Sequence, residues 1–165
     1  MWQMGSISYF CFCLFGLLTA SYFLPSANAG VCPGGWMTFQ SHCYGVFHEK
    51  LTWKAAEEEC RSYGHKGHLA SILNWAEADV VATHIVKNHK DIGHVWIGLN
   101  DHWGFRVFKW TDNSPLKYKS WMKSKPQFFT LTKYCVQLVY FKGYKEWKDV
   151  DCEQRAAYLC KFTSM

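Results

Sequence analysis

The chain has 165 residues, of which 49% are hydrophobic, and its 18 lysines and arginines against 13 acidic residues give a formal net charge of +5 at pH 7. This length is too short for two domains once an amino-terminal leader is removed. The sequence contains neither a Gly-x-Ser-x-Gly nor a His-Glu-x-x-His motif, so we expect no enzyme activity and no cofactor.

The first 29 residues carry no charged side chain and include a long apolar run. That run covers about 16 residues, fewer than the ~20 of a membrane-spanning helix. Ala27 and Ala29 are small residues at the positions that a signal peptidase reads. We therefore predict a signal peptide over residues 1–29, cleavage before Gly30 and a secreted protein without a membrane span; a membrane anchor is the alternative. Residues 30–165 then form one domain.

Six cysteines follow the predicted leader: Cys32, Cys43, Cys60, Cys135, Cys152 and Cys160. An even number in a secreted chain predicts three disulfides and no free thiol. Fifteen pairings are possible, and the spacing alone does not select one. A structural metal site is disfavoured because no Cys-x-x-Cys pair is present.

Two helices are predicted in the first half of the chain. Thr52 is a suitable N-cap for the first, and Gly64 is a suitable end. Asn74 and Glu77 have capping-box spacing at the start of the second. The residues expected on the inner faces are Trp53, Ala56, Cys60 and Tyr63 in the first helix, and Trp75, Ala78, Ala82 and Ile85 in the second.

From about Val95 onward, short apolar and aromatic runs alternate with Gly, Asn, Asp and Pro, which is typical of strands and loops. The candidate strands are HVWIGL, FRVFKW, YCVQLVYF, YKEWKDV and AAYLCKF. Helices followed by strands indicate an α+β fold.

Eight segments occur in an order that resembles the C-type lectin-like domain in its long form: CPGGWMTFQSHCYGVF, TWKAAEEEC, HLASI, VWIGLND, FKWTDNS, YCVQL, EWKDVDC and AAYLCKF. The resemblance covers about Cys32 to Phe162 and is similar in character to the snake-venom lectins and the regenerating (Reg) proteins. It implies two helices packed on antiparallel sheets, a long irregular loop region and a core that includes Trp96, Ile97 and Leu99. The implied disulfides are Cys32–Cys43, Cys60–Cys160 and Cys135–Cys152.

Many members of that family bind sugar through a calcium ion held by a Glu-Pro-Asn or Gln-Pro-Asp triplet, a later Glu and an Asn-Asp pair. The corresponding positions here are Lys125-Pro126-Gln127, Lys133 and Lys148-Asp149. Calcium requires six to eight oxygen ligands, several of them anionic. Three lysines at these positions predict that the usual calcium site is lost and that no metal is bound. The retained Pro126 predicts that the loop keeps its turn with a cis peptide bond.

The positive charge is concentrated in one segment. Between Asp112 and Glu146 there is no acidic residue but there are seven lysines: Lys117, Lys119, Lys123, Lys125, Lys133, Lys142 and Lys145. A patch of one sign attracts polyanions, although a merely solvated face is the alternative.

Phe128 and Phe129 are expected at a loop tip, where they could stack on sugar rings or on a protein, while Tyr134, Tyr140 and Phe141 are expected in the core. Four of the histidines, His65, His68, His84 and His89, could form a zinc site, but scattered surface histidines are the favoured interpretation.

The preferred hypothesis is a calcium-independent lectin for sulfated or otherwise anionic glycans. Its predicted contact residues are Lys123, Lys125, Pro126, Gln127, Phe128, Phe129, Lys133, Lys148 and Asp149. A protein-recognition module that binds a cell-surface receptor or a coagulation factor, as in the venom group, is the main alternative. A mineral-associated matrix protein ranks last because acidic residues are sparse in this half of the chain. We expect no nucleic-acid partner and a monomer without an interchain disulfide.

Overall fold

The computed structural model describes residues 31–101, 103–126 and 133–164, so the predicted signal peptide lies outside the described residues. Within them, the chain forms eight strands, two α-helices and one 3-10 turn. The elements are β1 (Met37–Phe39), β2 (His42–Leu51), α1 (Trp53–Cys60), β3 (His65–Leu69), α2 (Trp75–Asn88), β4 (Val95–Asp101), β5 (Lys109–Trp110), β6 (Tyr134–Leu138), the 3-10 turn (Tyr140–Lys142), β7 (Trp147–Asp151) and β8 (Ala156–Thr163).

The strands join in one sheet in the order β1-β2-β8-β4-β6-β7, with β3 paired to β8 and β5 paired to β4. Every pairing is antiparallel except that of β4 with β8, which is parallel. Helices and a mainly antiparallel sheet confirm the predicted α+β class. The expectation that strands begin only near Val95 is wrong, because β1, β2 and β3 precede it. Strand β2 contains a glycine, two histidines and a Glu-Lys pair, and such residues have a weak preference for strands. Its pairing with β8 outweighs this weak preference.

Both predicted helix caps are confirmed. The Thr52 side chain accepts a hydrogen bond from the Ala55 amide, and the Asn74 side chain accepts one from the Glu77 amide. Helix α1 ends at Cys60, four residues before the predicted Gly64. The placement of Trp75 on the inner face of α2 is wrong, since it is 73% exposed. As the first residue of the helix, it lies beside the buried stripe of Glu77, Ala78, Val81, Ala82 and Ile85.

The central strand β4 forms the middle of the core, and the predicted burial of Trp96, Ile97 and Leu99 is confirmed. The predicted burial of Tyr140 and Phe141 is wrong, because they are 53% and 58% exposed. Strand β6 ends at Leu138. The following 3-10 turn breaks the alternation of a strand, so both rings project outward. The FRVFKW run likewise shortens to the two residues of β5.

The three disulfides have the pairing that the family resemblance implied: Cys32–Cys43, Cys60–Cys160 and Cys135–Cys152. The second joins α1 to β8 across a sequence separation of 100 residues. In the chain-entropy model, a loop of that size gives about 4.7 kcal/mol of stabilisation. Neither helix described here has the length and apolar character needed to cross a membrane.

Candidate functional site

The loop between β5 and β6 contains most of the predicted ligand-contacting residues. Lys123 is exposed in a turn, and the Lys125-Pro126 peptide bond is cis, as predicted. Lys133 is exposed immediately before β6, and Lys148 is half-buried on β7. Three further predicted residues lie outside the described residues: Gln127, Phe128 and Phe129.

The remaining predicted residue, Asp149, is the centre of a buried ion cluster. Its side chain is 0% exposed, because burial alternates along β7 and places Trp147 and Asp149 inward. The Lys125 Nζ atom lies 3.1 Å from Asp149 Oδ1, and it also donates to the Asp149 main-chain oxygen at 3.0 Å. The Arg106 Nη1 atom donates to Asp149 Oδ2 at 3.1 Å. Two protein cations therefore hold one buried carboxylate.

Arg106 is the member of this cluster that sequence reasoning missed. Its backbone has φ 64°, and its amide donates to Asp101 Oδ2 at 2.7 Å. Its guanidinium lies 5.4 Å from the ring centroids of both Phe108 and Tyr134, a distance at which cation–π attraction operates. Arg106 and Asp149 are 43 residues apart in sequence, so no local pattern in the sequence pointed to their contact.

The residues of this cluster do not fit a calcium ion. A calcium ion needs several anionic oxygens that are free to coordinate it, but both oxygens of Asp149 already contact a cation. At two further positions where the family has oxygen ligands, this chain has Lys133 and Lys148. Burial lowers the pKa of Lys148, and the nearby charge of Lys125 lowers it further, which indicates an environment that disfavours additional positive charge.

The seven lysines of the acid-free segment divide into two groups. Three form ion pairs: Lys125 with Asp149, Lys142 with Glu146 at 3.8 Å and Lys145 with Asp79 at 2.6 Å. The other four are exposed and form no ion pair within the part of the chain that the structure describes: Lys117, Lys119, Lys123 and Lys133. The segment therefore does not present all seven charges to a ligand.

Packing against β7 holds the segment that carries three of these exposed lysines. The rings of Tyr118 and Trp121 meet Trp147 edge-on, at centroid distances of 5.6 and 5.7 Å. The Trp147 amide donates to the Ser120 oxygen at 2.7 Å, and the Met122 amide donates to the Trp147 oxygen at 2.9 Å. The backbone is therefore fixed against β7, while these lysine side chains are exposed to solvent.

A second surface feature lies in the loop between β4 and β5. Trp103 and Phe105 are 67% and 78% exposed, and Val107 is also exposed. Arg106 lies between Phe105 and Val107 in the sequence, and its side chain turns inward to Asp149. The ion cluster therefore anchors the loop that carries the two aromatic rings. Phe105 and Val107 were expected in the candidate strand FRVFKW, but β5 contains only Lys109 and Trp110, so both residues lie in the loop instead.

Comparisons with known proteins agree with this architecture. The family described as "Lectin C-type domain" matches residues 49–162. The C-type lectin BiL of Bothrops insularis is 39% identical over 152 residues, which are 92% of this chain and 96% of that protein. Human lithostathine is similar in structure, with a TM-score of 0.75 and 36% identity over 80% of this chain and 99% of the other.

A calcium-independent type II antifreeze protein is also similar, with a TM-score of 0.72 and 29% identity over 84% of this chain and 99% of that one. The order of the elements, the three disulfides and the similarity over nearly the whole described chain all agree. This protein belongs to the C-type lectin domain family.

Proposed function

We propose that this protein is a secreted, non-enzymatic binding module that recognises an anionic glycan through its long-loop region, residues 103–133, and does so without calcium. The observation that carries the proposal is the contact of both Lys125 and Arg106 with the buried Asp149. These two side chains supply the positive charge that a calcium ion supplies in many relatives. The loop therefore keeps a neutralised carboxylate at its base without a metal.

Electrostatics supports the calcium-independent part of the proposal. A divalent cation about 4 Å from the Lys125 ammonium would be repelled by roughly 8 kcal/mol at an effective dielectric constant of 20. The two contacts of Asp149 would also have to be broken. The similarity to an antifreeze protein described as calcium-independent is a further, weaker support.

The anionic class of the ligand is supported by the exposed lysines at 117, 119, 123 and 133. The sequence from 113 to 145 has no carboxylate to offset them. Lysine side chains act as mobile point charges, which suits sulfate and carboxylate groups at variable positions along a glycan chain. Binding of this kind weakens with salt, since the screening length falls from about 8 Å at physiological ionic strength to about 3 Å at 1 M.

Exposed aromatic rings provide a contact that salt does not screen. Trp103 and Phe105 extend from a loop anchored by Arg106, and flat rings of this kind can stack on the apolar face of a sugar. Phe128 and Phe129 are proposed to contribute in the same way. Gln127 and Lys148 remain proposed ligand contacts, whereas Lys125 and Asp149 act through the ion cluster.

The test is binding to immobilised heparin and to an array of neutral and sulfated glycans, each with calcium and with a chelator. We expect retention on heparin beyond about 0.15 M salt, the ionic strength at which exposed charges are already screened over ~8 Å, and the chelator should not change it. Replacing Lys119 and Lys123 with alanine should lower the eluting salt concentration. A control pair on α1 and α2, Lys54→Ala with Lys87→Ala, removes the same charge and should have a smaller effect. Elution at or below that salt concentration, or equal effects of the two pairs, would contradict the proposal.

The alternative function is recognition of a protein partner, and the exposed Trp103, Phe105 and Val107 favour it. Apolar side chains grouped on a surface are common in protein interfaces. If neutral and sulfated glycans both fail to bind while an extracellular receptor binds through Phe105, this alternative replaces the glycan hypothesis.

A further inference from the structure

Three histidines meet on the surface at the carboxyl end of α2: two from the end of that helix and one from β2. The His89 Nε2 atom lies 3.3 Å from His84 Nε2, and the His89 Nδ1 atom lies 2.9 Å from His48 Nε2. His48 belongs to β2 and is 41 residues from His89 in sequence. For these three residues, the expectation of scattered histidines is wrong, because the fold brings His48 of β2 to the end of α2.

We propose that His84 and His89 bind a divalent transition-metal ion, such as zinc or copper, with His48 as the hydrogen-bonded outer partner of His89. None of the described residues of the long-loop region takes part in this site. The proposal is therefore independent of the proposed glycan binding.

The distance between the two Nε2 atoms supports direct coordination. Zinc binds imidazole nitrogen at about 2.0–2.1 Å, so two ligands of a tetrahedral site are separated by about 3.3–3.4 Å. The observed separation of 3.3 Å matches that value. It is also longer than the ~2.9–3.0 Å of a usual hydrogen bond from nitrogen. A metal ion could therefore replace the contact between His84 and His89 with little movement of either ring.

The hydrogen bond between His89 and His48 suits coordination through His89 Nε2. Neutral imidazole is the form that coordinates a metal. In the tautomer that carries its proton on Nδ1, His89 donates to His48 Nε2 at 2.9 Å, and its own Nε2 atom then has a free lone pair. Ligating histidines commonly donate their second nitrogen in this way.

The other nitrogen of His84 contacts Asn88 in the metal-free state. Asn88 Nδ2 lies 3.1 Å from His84 Nδ1 and 3.0 Å from the His84 main-chain oxygen, so the amide donates to both. Coordination through Nε2 places the ring proton on Nδ1. Solvent then accepts that proton at this partly exposed position, and Asn88 keeps its bond to the main-chain oxygen.

The ligand set predicts which metals bind. Within residues 31–101, 103–126 and 133–164, no group of three or more His, Cys, Asp or Glu side chains is placed to hold a metal together. The protein therefore supplies two ligands, and solvent fills the other positions. Imidazole favours zinc, copper and nickel, whereas calcium and magnesium favour oxygen ligands. Calcium should therefore not compete.

The test is calorimetric titration of the untagged protein with zinc chloride at about pH 7.5, where neutral imidazole is the ligating form, in a non-chelating buffer. We expect one zinc ion per chain, and millimolar calcium should not displace it. His84→Gln and His89→Gln should each weaken binding by about tenfold or more, and His48→Gln should weaken it by roughly tenfold, as expected for an outer partner. His65→Gln, an exposed histidine on β3, is the matched control and should bind as the original protein does.

Circular dichroism of each variant checks that the fold is retained. A readout without substitutions is the effect of substoichiometric zinc on the histidine ring signals of the original protein in NMR, where three of the eight histidines should respond. The proposal is overturned if the original protein binds no zinc. Equal binding by His84→Gln, His89→Gln and His65→Gln would overturn it as well.

Discussion

Lys125 Nζ contacts Asp149 twice, at 3.1 Å from the side-chain Oδ1 and at 3.0 Å from the main-chain oxygen. One side chain thereby neutralises a fully buried carboxylate and ties the long loop to β7. Arg106 performs the same two tasks for the loop that follows β4. The base of the long-loop region is therefore held together by protein cations.

Removing either cation should destabilise the fold. Lys125→Ala or Arg106→Ala leaves Asp149 buried with only one charged partner, and breaking a buried pair in this way costs roughly 3 kcal/mol or more. Urea unfolding should show a lower midpoint for each variant. Lys123→Ala, which removes an exposed lysine two positions away, should change the unfolding free energy by less than about 0.5 kcal/mol. Similar stabilities of Lys125→Ala and Lys123→Ala would contradict the role of the ion cluster.

Calcium should not stabilise the protein. A ligand that binds only the native state at a hundredfold excess over its Kd adds about 2.7 kcal/mol, which would raise the melting temperature by several degrees. We expect no such rise in millimolar calcium, because Lys125 and Arg106 already hold Asp149. A calcium-binding lectin of the same fold serves as the positive control. A rise that a chelator reverses would show that calcium binds in spite of this cluster.

Acid should weaken the fold partly through His94. Burial, together with the smaller effect of the positive charge of Lys148, lowers the pKa of His94 from 6.5 to about 4. The unfolded chain binds this proton below pH 6.5, whereas the folded chain does so only near pH 4. The contribution of neutral His94 to the free energy of unfolding is therefore complete above about pH 6.5. It is lost as the pH falls toward about 4.

The size of this effect should be on the order of 1 kcal/mol, because solvent screens a partly exposed ring. Urea unfolding at about pH 7.5 and about pH 4.5, on either side of the unfolded pKa, measures it. His94→Gln should reduce the difference between the two pH values, while His42, His84 and His89, whose pKa values are also lowered by burial, retain a smaller dependence. An unchanged pH difference in His94→Gln would exclude His94 as a source.

The secreted protein should begin at Gly30 and contain no free thiol. Intact mass with alkylation should show no added groups before reduction and six after it, since the three described disulfides use all six cysteines after the predicted leader. Any other number of alkyl groups, or a different amino terminus, would contradict the prediction concerned.

Replacing both Cys60 and Cys160 with alanine should cost more stability than replacing Cys135 and Cys152, because the closed loops span 100 and 17 residues.

Local signals in the sequence determined much of the scaffold. Thr52 and Asn74 marked the helix starts because capping depends on residues three positions apart. The resemblance to a known family, and not a local signal, implied that Trp96, Ile97 and Leu99 belong to the core. The order of the eight family-like segments, compared with a known family, determined the disulfide pairing and the cis bond before Pro126, which spacing alone could not select.

The tertiary structure decided which charges and rings are exposed to solvent. Arg106 reaches Asp149 across 43 residues and His48 reaches His89 across 41, and contacts of that separation leave no periodic trace in the sequence. Tyr140 and Phe141 are exposed because a 3-10 turn replaces the end of a strand. Lys125 is used inside the protein while Lys123, two residues away, faces solvent. Composition showed that the segment is basic, but only the packing of its loop against β7 determined which lysines remain available.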